Sequence, residues 1–184
     1  NISVKIADAL DSSLAKSGRH YVSVNIFEIL FTSAMVSYEY FFPSGKISLR
    51  VPVSAGLLNT NKDRPWTYGQ NEFYKSKLFN AGLEFNYYPM GRARGYFAGL
   101  SVQTGAFYYR SSYYYGYPPY PPYSSQNHTG YHYSAFVNNG CLIQVTPRYQ
   151  VAIYFGLGLK QDDTIYDDPV GSTAQGGFSM GFRF

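Results

Sequence analysis

The chain has 184 residues, a formal net charge of +4, 20% aromatic residues and only 14% charged residues. Its mean hydropathy is −0.25, and it has no run of about 18 apolar residues that would make a transmembrane helix. The single Cys141 excludes an intrachain disulfide and a cysteine metal cluster, and the scattered positive residues do not indicate a nucleic-acid surface. Such an aromatic, charge-poor chain is typical of a membrane β-barrel, in which one face of each strand contacts lipid.

Residues 1–19 lie outside the strand pattern and form a separate N-terminal segment in our interpretation. Ile2, Ile6, Leu10 and Leu14 have the i, i+4 spacing of one side of a short helix, and a loosely ordered periplasmic leader is the alternative. The segment lacks a basic region followed by an apolar one, so we expect any signal peptide to have been removed already.

Residues 20–184 read as about eight segments with the period of two that is typical of β-strands. In each segment, apolar side chains alternate with small or polar ones, which predicts one face toward lipid and one toward a lumen. The predicted outward residues, in chain order, are Val22, Val24, Ile26; Ala34, Val36, Tyr38, Tyr40, Phe42; Ile47, Leu49, Val51, Val53, Ala55, Leu57; Phe79, Ala81, Leu83, Phe85, Tyr87; Ala98, Leu100, Val102, Thr104, Ala106; Tyr133, Ala135, Val137, Cys141, Ile143; Val151, Ile153, Phe155, Leu157, Leu159; and Ala174, Gly176, Phe178, Met180, Phe182, Phe184.

The connections between these segments alternate in length. Residues 43–46, 89–95 and 146–148 are short, whereas residues 58–76, 110–130 and 161–172 are long. Short periplasmic turns and longer extracellular loops are the pattern of outer-membrane barrels. We therefore predict an all-β fold, a closed transmembrane antiparallel barrel of about eight strands with both termini in the periplasm. Pro52 predicts a local irregularity, because proline cannot donate to a strand ladder. The first external connection, residues 28–32, is unusually apolar for a loop tip.

The last ten residues resemble the assembly signal of outer-membrane barrels, with alternating hydrophobic residues that end on phenylalanine. Gly177, Met180, Phe182 and Phe184 carry this resemblance, which implies recognition by the barrel-assembly machinery. The stretch Ser37–Tyr40, followed by a Pro-Ser-Gly turn, resembles the small OmpA/OmpX-type barrels of Bacteroidetes, which are Gram-negative. That resemblance implies an outer-membrane location but no activity, and we expect no peptidoglycan-binding domain after the barrel.

Three inward charges form the first candidate site. A four-residue turn at residues 43–46 places Glu39 directly opposite Arg50, and Glu84 on the next strand reaches the same region. Opposite charges inside a narrow barrel satisfy one another and plug the lumen, and a gated pore is the functional alternative.

The second candidate is His132 with Ser134, two residues apart and therefore on one strand face. This pair resembles the His-x-Ser pair of outer-membrane lipid A deacylases, which implies a base and a hydroxyl for ester chemistry. Ala135 stands where that family carries Asn, and an acid to orient the histidine would have to come from Asp162, Asp163, Asp167 or Asp168. A polar pair at the rim of the barrel is the other interpretation, and we assign no catalytic residue.

Residues 108–131 form a tyrosine- and proline-rich connection whose only formal charge is Arg110. Tyrosine provides contact area at low entropic cost, and proline stiffens the backbone, so the connection suits a protein or glycan contact. A low-complexity cap over the barrel itself is the alternative. The residues predicted to bind a partner or ligand are Tyr113, Tyr114, Tyr115, Tyr117, Tyr120 and Tyr123.

Asp163-Thr164-Ile165 matches a short O-glycosylation sequon of Bacteroidetes, so Thr164 is a candidate modification site. The leading functional hypothesis is a non-enzymatic accessory barrel that docks on another outer-membrane protein, without metal or cofactor. Its other expected partners are outer-membrane lipid, lipopolysaccharide and the barrel-assembly machinery. A porin-like passive channel for small or apolar solutes and a lipid A-modifying enzyme remain the alternatives.

Overall fold

The computed structural model describes residues 18–30, 33–57, 74–91, 94–114, 123–163 and 170–184. Its elements in chain order are β1 (His20–Asn25), α1 (Ile26–Leu30), β2 (Ser33–Phe41), β3 (Ile47–Gly56), β4 (Tyr74–Tyr87), β5 (Gly95–Tyr114), β6 (Tyr123–Gln144), β7 (Tyr149–Asp163) and β8 (Gly171–Arg183). Each strand pairs with the next in antiparallel fashion, and β8 pairs with β1, so the sheet is a closed barrel of eight strands. This confirms the predicted all-β fold with a closed antiparallel barrel of eight strands.

The alternation of side chains along the strands also follows the prediction. On β2, Val36 and Tyr38 are exposed on the outer wall, whereas Glu39 and Phe41 are buried in the lumen. Ala106 was predicted to face outward but is buried, because its small side chain lies between Phe79 and Tyr131 at the neighbouring register positions.

The lumen is narrow enough that polar side chains need glycine neighbours. A Cβ on Gly99 would collide with the side-chain oxygen of Asn86, and a Cβ on Gly156 would collide with that of Asn138. Both asparagines are only 1% exposed. Inward glycines therefore make the space in which buried amides lie across the lumen.

The β2–β3 turn sets the register of the first predicted site. The backbone N–H of Phe42 donates to the carbonyl of Ile47 at 3.0 Å, and Gly45 has a φ of 64°, a left-handed conformation that favours glycine. Further along β3, the β3–β4 pairs are interrupted around Pro52 and resume at Val53 in the same register. This confirms the predicted irregularity, and β4 and β5 share a second one between Lys77 and Phe79.

The connections differ most from the prediction. The first connection is not a simple loop, because the strand alternation ends at Asn25 and α1 follows. Continued alternation after the outward Ile26 would place Phe27 in the lumen, but Phe27 lies in α1 and is exposed. Residues 110–130 are in large part strand rather than loop, since β5 continues to Tyr114 and β6 begins at Tyr123. The other two long connections lose a few residues to β4, β7 and β8.

Residues 1–17 lie outside the described residues, so the predicted N-terminal helix stays a prediction. Within the described ranges, no helix has both the length and the apolar character needed to cross a membrane.

Candidate functional site

The three predicted lumen charges are brought together. Glu39, Arg50 and Glu84 are each at most 4% exposed, and Glu39 lies directly opposite Arg50 in the β2–β3 ladder, as predicted. The ion pair, however, joins Arg50 to Glu84, with 3.3 Å between the Nη1 and Oε2 atoms. Arg50 and Glu84 are themselves direct register partners on β3 and β4.

Glu39 is satisfied by neutral donors instead of by the guanidinium. The hydroxyl groups of Ser48 and Tyr88 both donate to its Oε1 atom, the latter at 2.9 Å. Arg50 uses its Nη2 atom to donate to Ser37 at 2.8 Å, which turns the guanidinium away from Glu39. We call Glu39, Arg50 and Glu84 the lumen network, and it consists of one ion pair beside a separately hydrogen-bonded carboxylate.

A chain of side-chain amides crosses the lumen and ends on this network. Asn80 donates to Gln103 at 2.8 Å, Gln103 to Gln175 at 2.8 Å, Gln175 to Asn138 at 2.7 Å, and Asn138 to Glu84 at 3.0 Å. Every donor is directed toward the Glu84 carboxylate, so each bond polarises the next in a sense that stabilises the negative charge. The chain links β4, β5, β8 and β6 across the barrel.

An aromatic cluster closes the lumen toward the end with the short turns. Its buried members are Tyr21, Phe41, Tyr88, Phe97, Leu142, Ala152 and Tyr154. The Tyr88 ring lies 5.8 Å from Phe41 and 5.4 Å from Phe97, and the Arg183 guanidinium lies 4.6 Å above the Phe41 ring. We call this set the closing cluster, and together with the lumen network it fills the half of the lumen with the short turns, as expected for a narrow eight-stranded barrel.

His132 and Ser134 face a cavity of about 300 Å³ in the opposite half of the barrel, not the outer wall. Asp162 is the register partner of His132, and Lys160 is the register partner of Ser134. Among the described residues, no hydrogen bond joins His132 to Ser134, and the Nδ1 atom of His132 has no hydrogen-bond partner. The structure thus brings the candidate residues together without the base–hydroxyl contact of an activated nucleophile.

The tyrosine- and proline-rich connection is built on a long hairpin. All 20 residues of β5 pair with β6, and the last pairs are Tyr113 with Ser124 and Tyr114 with Tyr123. The β4–β5 ladder reaches only Arg110, and the β6–β7 ladder starts only at Tyr131. The next register positions on the neighbouring strands, 73 and 164, lie outside the described residues. Three of the hairpin's predicted contact residues, Tyr115, Tyr117 and Tyr120, lie outside the described residues, as does Thr164.

The predicted assembly signal lies on β8, where the sheet closes. Met180 and Phe182 are paired with Val24 and Val22 of β1, and Phe184 exchanges backbone hydrogen bonds with His20 at 2.9 and 3.0 Å. Met180 and Phe184 are exposed on the outer wall. Gly177 faces inward, where a Cβ would lie 2.5 Å from the Asn25 amide nitrogen.

Sequence reasoning missed Tyr88, Tyr154 and the amide chain. Tyr88 follows Tyr87 at a strand end, where alternation no longer indicates direction, and the Gln103–Gln175 contact depends on closure of the barrel. Inward polar residues on four strands were the available signal.

Comparison with known proteins found no matching family model, no matching curated protein and no matching solved structure.

Proposed function

We propose that this protein is a non-enzymatic outer-membrane barrel that anchors the β5–β6 hairpin and presents it to another protein of the outer membrane. The observation that carries the proposal is the β5–β6 ladder, which pairs all 20 residues of β5 with β6 and continues into the tyrosine-rich connection as far as Tyr114 and Tyr123. This role requires lipid around the outer wall of the barrel, but it requires no pathway for solutes through the lumen.

The outer wall supports membrane insertion. Leu100 and Val102 on β5 are 64% and 59% exposed, which would be costly in water on a whole barrel wall. Exposed tyrosines, Tyr96 and Tyr108, flank this stretch on the same strand. Their 12-residue separation spans roughly 40 Å along a strand and, at a tilt of about 40°, roughly 30 Å along the barrel axis. That is close to the apolar band between the aromatic girdles of outer-membrane barrels.

The interior supports an anchoring role over a passive channel. The closing cluster and the lumen network bury aromatic rings and charges in the half of the barrel with the short turns. A solute would have to break the Arg50–Glu84 ion pair and the amide chain to pass. The lipid-modifying alternative has less support too, because His132 and Ser134 face the lumen and are not hydrogen-bonded to each other.

The hairpin supports protein docking through its backbone and its composition. Its backbone is one continuous antiparallel ladder from Gly95 to Tyr114, which gives the hairpin a regular support. Its sequence is rich in tyrosine between residues 108 and 123, and tyrosine is enriched at protein binding hot spots. In the proposed orientation the hairpin is extracellular, both described strand ends near residues 20 and 184 face the periplasm, and the barrel-assembly machinery inserts the chain among lipid and lipopolysaccharide.

Site-specific photo-crosslinking in the native membrane tests this proposal. A photoreactive residue at Ser124 in the hairpin should crosslink to one defined protein, whereas the same residue at Ser44, exposed in the β2–β3 turn, should not give that product. Mass spectrometry of the product should map the contact to an outer-membrane protein. Crosslinks from Ser124 to lipid alone, or the same product from both positions, would contradict the proposal.

A further inference from the structure

A cavity of about 300 Å³ lies inside the barrel near α1, on the far side of Tyr154 from the closing cluster. Tyr154 and Met35 form its floor, and Asn25 holds the Tyr154 hydroxyl group with a 3.0 Å hydrogen bond. Beneath that floor, the Arg50 guanidinium lies 5.3 Å from the centre of the Tyr154 ring. The cavity is therefore blind toward the short turns and has the size of a site for one small molecule.

Two ion pairs lie at this cavity, one between β4 and α1 and the other within β7. Lys77 on β4 lies 3.3 Å from Glu28 on α1, and Lys160 on β7 lies 2.9 Å from Asp162. All four side chains remain partly exposed, so their mutual attraction is weak and their charges are available to a ligand. Among the described residues, the charged side chains that line the cavity are Glu28, Lys77 and Lys160, so its wall carries charges of both signs.

The wall between the two lysines is aromatic. Phe107 is the register partner of Lys77, and the Lys160 ammonium lies 5.8 Å from the centre of its ring. The His132 ring stacks on Phe107 with 6.1 Å between the centroids. Phe136 and Met35 extend the apolar surface. A ligand with an apolar body would bury that body here and gain its transfer free energy.

His132 provides an independent indication of a ligand. It is only 8% exposed and lines the cavity, yet its Nδ1 atom has no hydrogen-bond partner among the described residues. The side-chain oxygen of Asn80, at the start of the amide chain, is also buried without a partner and lines the same cavity. Buried polar atoms are normally hydrogen-bonded, so the wall of this cavity contains two side chains with unused hydrogen-bonding capacity among the described residues.

We propose that this cavity binds a small zwitterion with an apolar side group, of the class of the free aromatic amino acids. A ligand carboxylate would accept hydrogen bonds from Lys77 or Lys160, and a ligand ammonium would donate to Glu28. A ligand with only a negative charge would meet the Glu28 carboxylate, and one with only a positive charge would meet the two lysines. Charges of both signs in the cavity wall thus favour a ligand that carries both signs.

Calorimetric titration of the folded barrel in octyl glucoside tests this site with three probes that share one apolar body. These are phenylalanine, 3-phenylpropionate, which lacks the ammonium, and phenethylamine, which lacks the carboxylate. Phenylalanine should bind at least about tenfold more tightly than either analogue, since each analogue leaves one pair of protein charges uncompensated. Equal or tighter binding of 3-phenylpropionate would overturn the zwitterion assignment.

Substitutions locate the binding. Lys77→Met and Glu28→Gln should each weaken phenylalanine binding at least about tenfold, whereas Lys46→Met, which removes the same charge from the β2–β3 turn, should leave it unchanged. Heat-modifiable migration on gels verifies that each variant is folded. The proposal is overturned if phenylalanine gives no heat of binding up to about 10 mM, or if Lys46→Met weakens binding as much as Lys77→Met.

Discussion

Arg50 lies directly opposite Glu39 in the β2–β3 ladder, but its guanidinium pairs with Glu84 on β4, 3.3 Å away. Glu39 is instead held by Ser48 and Tyr88. Of the two carboxylates directly opposite Arg50 in register, Glu84 forms the ion pair and Glu39 is compensated by neutral hydroxyl groups.

This arrangement predicts which pair is energetically coupled. Arg50→Leu alone should lower the free energy of unfolding by about 3–5 kcal/mol, because it leaves the Glu84 carboxylate buried without its partner. Adding Glu84→Gln to Arg50→Leu should recover much of that loss, whereas adding Glu39→Gln should recover less. Urea unfolding of the single and double mutants in detergent measures both coupling energies. Equal coupling of Arg50 to the two glutamates would contradict the assignment.

The opposition of Glu39 and Arg50 followed from sequence alone, because the turn at residues 43–46 fixes the register of its hairpin. The choice of Glu84 did not, because Arg50 can reach either neighbouring strand and the β3–β4 register depends on a long connection. The extent of β5 and β6 was also missed. Residues 110–130 are polar and aromatic without a clear apolar face, so alternation gave no strand signal, although tyrosine favours strands.

The lumen packing predicts a strong difference between two glycine substitutions. Gly99→Ala should destabilise the barrel by about 1–3 kcal/mol, because the new methyl group collides with Asn86 and with the carbonyl of Phe85. Gly171→Ala, where nothing lies within 4 Å of the added Cβ, should change stability by less than about 1 kcal/mol. Thermal unfolding monitored by gel migration compares them. Similar midpoints for the two variants would show that the lumen is not tightly packed at Gly99.

The outer wall allows a test of lipid contact with two residues of equal exposure. Leu100 and Val145 are both 64% exposed, but Leu100 lies in the middle of the proposed apolar band and Val145 lies in the β6–β7 turn. Leu100→Arg should cost about 2–4 kcal/mol in a lipid bilayer and Val145→Arg about 0–1 kcal/mol. Unfolding from phosphatidylcholine vesicles measures the difference. Equal losses of unfolding free energy for the two variants would mean that the cost of a charge does not depend on its position on the wall, as expected for a barrel in water.

The closed lumen predicts that the barrel does not conduct ions across a bilayer. Purified protein in planar bilayers should give no steady ohmic conductance, because the closing cluster and the lumen network occupy the interior. A general porin in the same bilayers provides the positive control for insertion. A reproducible single-channel step from the wild-type barrel would favour the passive-channel alternative over the anchoring role.

Replacement of the β5–β6 hairpin by a linker tests whether this hairpin docks on another outer-membrane protein. Residues 112–124 are replaced by a short Gly/Ser linker, and residues 164–169, which connect β7 to β8, are replaced in a matched control. Both variants should insert and migrate as heat-modifiable barrels. Only the hairpin variant should lose the outer-membrane partner that co-purifies with the wild-type protein under gentle extraction. A markedly lower unfolding temperature of the hairpin variant would identify the hairpin as a cap on its own barrel. Retention of the partner by that variant, or a wild-type protein that retains none, would contradict the docking role.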